Sequence, residues 1–467
     1  MKNFLTSLTL IISIFFAQTS FAQGLALIRD AETEKFLFDL SKPIFETAGL
    51  NPNNIKIYII NDDSINAFVS GGQNVFINTG LIRKYNTPDT LIGVLAHETG
   101  HIVAGHLARS SEGAADAEGA MFLSYLLGIG AILAGSPDAG TAMIMGGSQS
   151  AQRLYMKFTR TQEEAADQYA IKFLDKMKYP ASGLVKLLES FNEELRAYKD
   201  QIDEYLLSHP VSQKRIDVIK ARTAGENFSD KQINEKLQMP MVRVLSKLEG
   251  FIENPDSLLK KYHNRFDVEA RYVKSIAYFR KGDVSQSLKL LDPIIRDSQK
   301  DKIELGFLYE LKGQILFESG LTQDSVLAYS EAIKLIPEQY SGMAKIAFAS
   351  SILKIKTDDK DLLKLAVSRL EEAKKYERQT PFLFKQLANA YSRIGDEGRS
   401  DLAFAEYYFL TDNKAKSRKL AKAAKEKLAK SAKVERLRAD DLIELAKDEK
   451  EEREEKEKAK KKKFRAR

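Results

Sequence analysis

A chain of 467 residues that is 43% hydrophobic and 29% charged has length for two or three domains and enough apolar content to give each a core, which excludes wholesale disorder. The formal charge is +7, but residues 414–467 hold 22 basic against 12 acidic residues, so the rest of the chain is slightly acidic. With no cysteine anywhere, thiolate metal sites, thiol nucleophiles and disulfides are excluded, and any metal must be held by His, Asp or Glu.

Residues 1–22 have the pattern of a secretory signal peptide: Lys2 as the charged end, an apolar stretch from Phe4 to Ala17, and Ser20-Phe21-Ala22 as a small-x-small cleavage site. The apolar run is shorter than the ~20 residues that span a bilayer, so the expectation is an exported, periplasmic chain starting near Gln23. An amphipathic helix is predicted around Leu25 to Ala48. Ile55 to Ile60 has the β-branched composition of a strand, and Val75-Phe76-Ile77 forms a second after the turn signal Gly71-Gly72. From Thr87 the pattern turns helical, with Thr87 as N-cap, Pro88 at the first helical position and Asp89 at the positive end of the dipole, continuing to Leu107.

That helix carries three of the five histidines, at 97, 101 and 106. His97-Glu98-Thr99-Gly100-His101 is an H-E-x-x-H sequence: two imidazoles four residues apart share a helical face and reach one ion, and the intervening glutamate sits over the reacting water. A catalytic zinc takes three protein ligands. His106 is rejected as the third, because on a continuous helix it is rotated about 140° from His101; it is expected to support helix packing instead. Glu163 is preferred. Glu163 and Asp167 are four apart on a second helical stretch, so Glu163 can ligate while Asp167 accepts the free N–H of a zinc histidine. Between the two helices, residues 119–152 are almost uncharged and rich in glycine, which reads as a buried or lid-like helical hairpin over the cleft, as a contact with the membrane surface, or as a membrane span.

Residues 250–410 read as successive amphipathic helices with glycine at the turns. Gly313, Gly320, Tyr329, Ala332 and Pro337 match the small, turn, aromatic, small and terminating positions of a tetratricopeptide repeat. Gly282, Leu291 and Ile294, and again Ala388, Tyr391, Gly395 and Phe404, align as degenerate copies; an ordinary helical bundle is the plain alternative. Residues 414–467, rich in Ala, Lys and Glu, read as a solvated basic tail. Nothing there interleaves aromatics for base stacking, so no nucleic-acid partner is expected, while anionic lipid headgroups are a candidate contact.

His97 to His101, the stretch from Arg160 to Asp167, and Ser208-His209-Pro210 with Arg215-Ile216 together resemble the signatures of the Ste24 and HtpX-like gluzincin metallopeptidase family. The resemblance implies one zinc ion per chain on His97, His101 and Glu163, with Glu98 as catalytic base and Asp167 behind the ligands. It places His209 near the metal, as a fourth ligand in a self-inhibited state or as a donor to the transition-state oxyanion, and carries over Arg215 as a substrate or structural contact. The implied fold is α+β and mostly helical: a gluzincin metallopeptidase domain over residues 23–235 with a small edge-exposed β-sheet, an all-α tetratricopeptide-like solenoid over 236–413, and the tail. Val75, Phe76 and Ile77 are expected to border the cleft as a substrate-binding edge strand. The order of signal peptide, peptidase and repeats is similar to that of family members acting in outer-membrane β-barrel assembly. The expected clients are therefore unfolded or misassembled outer-membrane proteins and their assembly machinery, with a repeat-based chaperone holding a latent protease centre as the alternative.

Overall fold

The computed structural model describes residues 26–70, 73–106, 159–197, 209–225, 228 and 231–447. The expected signal peptide, the 119–152 segment and the last twenty residues lie outside them. The chain divides into two compact units, Thr33–Leu248 and a second made of Met1–Glu32 with Glu249–Arg467.

The first unit is built on a small sheet and buried helices. The helix expected from Leu25 begins later: Leu27–Ile28, which fall in the second unit, are a short strand, β1, and α1 spans Ala31–Thr47. Its stripe of Phe36, Leu37, Leu40, Ile44 and Phe45 is buried, the spacing that keeps one helical face on a core. β2 (Ile57–Ile60), β3 (Ala67–Ser70) and β4 (Asn74–Asn78) follow. β4 lies between β2, to which it is parallel, and β3, to which it is antiparallel. Tyr58, Phe76 and Phe68 stack across one face with ring centroids 5.0 Å apart, whereas Ile59, Ile77 and Ala67 are buried on the other, as the period of two requires.

This topology corrects one expectation. Val75, Phe76 and Ile77 belong to an interior strand whose hydrogen-bonding sides are both taken, so they present no edge. The strand that ends the sheet on the β4 side is β3, a four-residue element too short to show alternation in the sequence.

After α2 (Thr79–Lys84) comes α3 (Pro88–Ala104), with Thr87 as N-cap and every residue from Pro88 to Gly100 buried. A helix buried on all sides needs close neighbours. α4, over residues 159–177, crosses it at Gly100, where an added Cβ would stand 2.5 Å from the Ala166 carbonyl oxygen. α5 (Ser182–Ala197) packs on it as well, and α6 (Gln213–Thr223) starts from Ser212, whose side chain accepts the Arg215 N–H.

α7 (Lys231–Ile252) runs through the division between the units. The second unit continues with α8 (Pro255–Lys261), α9 (Val268–Arg280), α10 (Val284–Asp297), α11 (Lys302–Glu318), α12 (Thr322–Leu335), α13 (Gly342–Lys354), α14 (Lys360–Lys374), α15 (Pro381–Arg393), α16 (Glu397–Leu410), α17 (Lys414–Lys427) and α18 (Lys433–Leu445). From α8 onward each helix packs on its successor. The junctions repeat one chemistry: a left-handed residue at Gly282, Gly395 and Asp412 is followed by Asp283, Asp396 and Asn413, each capping the next helix with its side chain.

The reading of residues 414 onward as a solvated tail is corrected over its first part. Ser417 donates to the Ala405 carbonyl as Ser400 donates to that of Ala388, and Ala421, Ala424 and Leu442 are buried. The lysines that make α17 look soluble lie on the faces left over by this alanine stripe.

Candidate metal centre

α3 places His97, Glu98 and His101 in the interior of the first unit; α4 brings Glu163 and Asp167 against them. His209, from the segment before α6, completes a group of four, His97, His101, Glu163 and His209, whose potential ligand atoms all lie within 4.8 Å of one another. His97 Nε2 stands 3.1 Å from His101 Nε2, 3.2 Å from Glu163 Oε2 and 3.4 Å from His209 Nδ1; Glu163 Oε1 is 3.2 Å from His101 Nε2 and 3.1 Å from His209 Nδ1. Ligands about 2.0–2.1 Å from a tetrahedral zinc are themselves about 3.3–3.4 Å apart. Three imidazole nitrogens and a carboxylate at these spacings therefore fit that ion.

Each imidazole is oriented from behind. His97 Nδ1 is 3.0 Å from Asp167 Oδ1, the role expected of Asp167, and His209 Nε2 donates to the Ala67 carbonyl of β3 at 3.2 Å. Holding the proton on the far nitrogen leaves the near one with its lone pair facing the group. Arg215 is buried behind the carboxylates. It donates from Nε and Nη2 to Asp167 at 2.7 and 2.8 Å and from Nη1 to the Pro210 carbonyl at 2.9 Å, and Nη1 lies 3.0 Å from Glu163 Oε2. The substrate-contact alternative for Arg215 is thereby corrected: its guanidinium is engaged in holding the site together.

The electrostatics follow from packing charge in a low-dielectric interior. Burial disfavours the charged form of His97, yet Asp167 and Glu163 beside it push its pKa up to about 10. His101, where burial prevails, is lowered to about 3. Burial raises the pKa of Glu98, while it is outweighed at Glu163 by His209, His101 and His97, and at Asp167 by Arg215 and His97, so both of those carboxyls are lowered. His209 is raised against its burial by Glu163 and Glu98. Glu98 differs from the other carboxylates of the centre in another respect: both of its buried oxygens accept no hydrogen bond among the described residues, and His209 Nε2 stands 3.6 Å from Oε1.

The structure thus brings together His97, Glu98, His101, Glu163, Asp167, His209 and Arg215, and keeps His106 out of the ligand group. The reason given for His106 needs correcting, because α3 ends at Ala104 and not at Leu107. Sequence reasoning passed over Gly100, read as one of the variable places of H-E-x-x-H. Its missing side chain lets α3 and α4 approach until Glu163 reaches the histidines. Ala67 was also missed as a hydrogen-bond acceptor, since a backbone carbonyl leaves no mark in a sequence.

Comparison with known proteins agrees with this geometry. Residues 33–223 match the profile of "Peptidase family M48". The "Beta-barrel assembly-enhancing protease" of Yersinia pestis is 26% identical over 276 residues, 58% of this chain and 56% of that protein. The "Putative beta-barrel assembly-enhancing protease" of Vibrio cholerae serotype O1 is 25% identical over 297 residues, 61% and 60% of the two chains. "Metalloprotease YcaL" of Escherichia coli (strain K12) is 28% identical over 195 residues, 41% of this chain and 70% of that one. The match to the first of these relatives spans about half of its length. Residues 33–223, which carry the histidine pair, Glu163 and His209, are thus similar to peptidase family M48.

Proposed function

We propose that the chain is an exported zinc-dependent endopeptidase that hydrolyses unfolded or misassembled envelope proteins in the quality control of outer-membrane β-barrel assembly. The observation that carries the peptidase reading is the convergence of His97, His101 and Glu163 on one point, with the unbonded Glu98 carboxylate beside it. When bound there, zinc supplies Lewis-acid polarisation of the scissile carbonyl and of the attacking water. Glu98 takes the proton of that water on its carboxylate and delivers it to the departing amine nitrogen. Asp167 and Arg215 keep the ligands in register, and the small-residue contact at Gly100 keeps the two helices close.

Substrate recognition follows from the sheet. An extended chain would add beside β3, which pairs with no strand other than β4 among the described residues, through main-chain hydrogen bonds, a mode that reads backbone more than side chains and suits clients exposing unfolded segments. The β-barrel client class is supported by the names of the relatives. The helical array of the second unit is proposed as a tetratricopeptide-like surface that finds those clients or their assembly machinery. The signal pattern at 1–22 supports a periplasmic location, and among the described residues no helix is long and apolar enough to cross a membrane; peripheral contact through 119–152 or the basic C-terminal residues is part of the same proposal.

One observation favours a second reading. His209 Nδ1 stands within the ligand group, and a fourth protein ligand closes the position that a catalytic zinc keeps open. The centre would then be latent, with client binding as the main activity. Incubating an unfolded outer-membrane β-barrel protein with wild type, Glu98→Gln and His209→Ala, with zinc content measured in each, separates the two. The peptidase reading expects cleavage by the wild type and none by zinc-loaded Glu98→Gln. An inert zinc-loaded wild type whose cleavage is released by His209→Ala favours the latent centre, and zinc-loaded protein inert in both removes the peptidase reading.

A further inference from the structure

We propose that His106 is a positioning residue for the metal ligand His101, holding the proton on His101 Nδ1 so that Nε2 keeps its lone pair for the metal. The proposal rests on the metal-centre reading and is independent of what the centre cleaves.

The device begins with a broken helix. α3 stops at Ala104 because Gly105 takes the left-handed conformation, φ 66° and ψ 31°, and its N–H bonds back to the carbonyls of His101 and Ile102. A side chain at 105 would meet nothing within 4 Å, so glycine is favoured here by the backbone angle and not by crowding. Had the helix continued, residue 106 would lie about 140° around the axis from His101 and the two rings would diverge. The turn instead folds His106 back, burying it, with its Nδ1 2.9 Å from His101 Nδ1 and the ring centroids 4.9 Å apart at 73°. Gln162, the neighbour of Glu163 on α4, donates to the His106 backbone carbonyl at 3.5 Å, which ties the turn to the helix supplying the carboxylate ligand.

Two nitrogens 2.9 Å apart share one proton, and its location decides whether His101 can ligate. A neutral imidazole has one N–H and one lone pair. With the proton on His101 Nδ1 donated to His106 Nδ1, the lone pair of Nε2 faces His97 Nε2 and Glu163 Oε1. The other tautomer turns an N–H toward the metal position. His97 is held in the same sense by Asp167 and His209 by the Ala67 carbonyl, so His106 is the third member of a set in which every ligand imidazole has an acceptor behind it.

The test uses the full chain, stripped of metal by chelation and titrated with zinc against a chromophoric competitor, for wild type, His106→Ala and His106→Asn. Asparagine carries Oδ1 on the same Cγ that bears Nδ1 in histidine, and so restores the acceptor without the ring. We expect His106→Ala to bind zinc about 10–100-fold more weakly and His106→Asn to bind close to wild type, with metal-free thermal unfolding alike in all three. Wild-type affinity in His106→Ala overturns the proposal, as does an equal loss in both variants accompanied by lowered metal-free stability, which marks a packing role only. If the variants do not fold, ¹⁵N-resolved imidazole signals of zinc-loaded wild type decide: a proton on His101 Nδ1 supports the assignment and a bare Nδ1 overturns it. Failure of wild type to bind zinc strikes the metal-centre reading itself, a result distinct from either.

Discussion

The two units bury polar groups in opposite ways. In the first, His97, Glu98, Glu163, Asp167, His209 and Arg215 are buried together, and all of them face one another. In the second, buried charges are dispersed, as where Lys345 reaches Glu338 at 2.8 Å and Glu372 at 3.1 Å, or where Arg29 forks onto Glu377 at 3.1 and 3.0 Å. Its core is otherwise small and apolar side chains repeated from helix to helix. Concentrating charge costs stability, because each buried ion must be compensated by its neighbours. Such a cluster is what a reactive site requires, whereas the dispersed pairs tie neighbouring elements together.

Breaking that comparison starts where the charges meet. Glu163→Ala removes the carboxylate that touches three histidines; it should lose the zinc that wild type retains on dialysis, and all cleavage with it, as read by metal analysis and a proteolysis assay. Glu98→Gln keeps the shape of the site and removes only the proton acceptor. It should retain zinc and lose about 10²–10⁴-fold in cleavage rate; loss of zinc here would place Glu98 among the ligands.

The smaller effects concern stability. Arg215→Met leaves Asp167 and Glu163 buried without their cation, and breaking such a pair costs about 3–5 kcal/mol. Denaturant unfolding of metal-free protein should show that loss, and a change below 1 kcal/mol would mean the guanidinium is not holding the carboxylates. Gly313→Val drives a branched side chain into the Tyr329 ring, since even a Cβ at Gly313 would stand 2.8 Å from it. Overpacking of this kind costs about 1–3 kcal/mol, and the variant should lose that much stability with zinc affinity unchanged. A shift in zinc affinity would show that the dispersed unit is coupled to the concentrated one.

How much of this was legible in the residues depends on how locally each feature is encoded. The H-E-x-x-H pair, Glu163 with Asp167, and the Gly-Asp junctions of the array are set by spacing along a helix or by one turn, and each appears where its spacing places it. Residues 414–427 misled because a lysine-rich helix and a lysine-rich tail have the same composition; only the burial of Ala421 and Ala424 distinguishes them. The edge strand was assigned to β4 because its β-branched core is the stronger local signal, whereas strand order is a long-range property that no window contains.

The sequence by itself narrowed the donors: with no cysteine and five histidines it offered a helical i, i+4 pair and a carboxylate on a second helix, and helical periodicity dictated that each pair share a face, whereas His209 entered only through the family resemblance. Tertiary structure alone decided how close the two helices come, through the missing side chain of Gly100 against the Ala166 carbonyl. It also decided which nitrogen of each imidazole faces the metal, through Asp167, His106 and the Ala67 carbonyl standing behind them. Those are contacts between residues far apart in the chain or across a broken helix. Their energies depend on ångström-scale placement, which residue order alone does not specify.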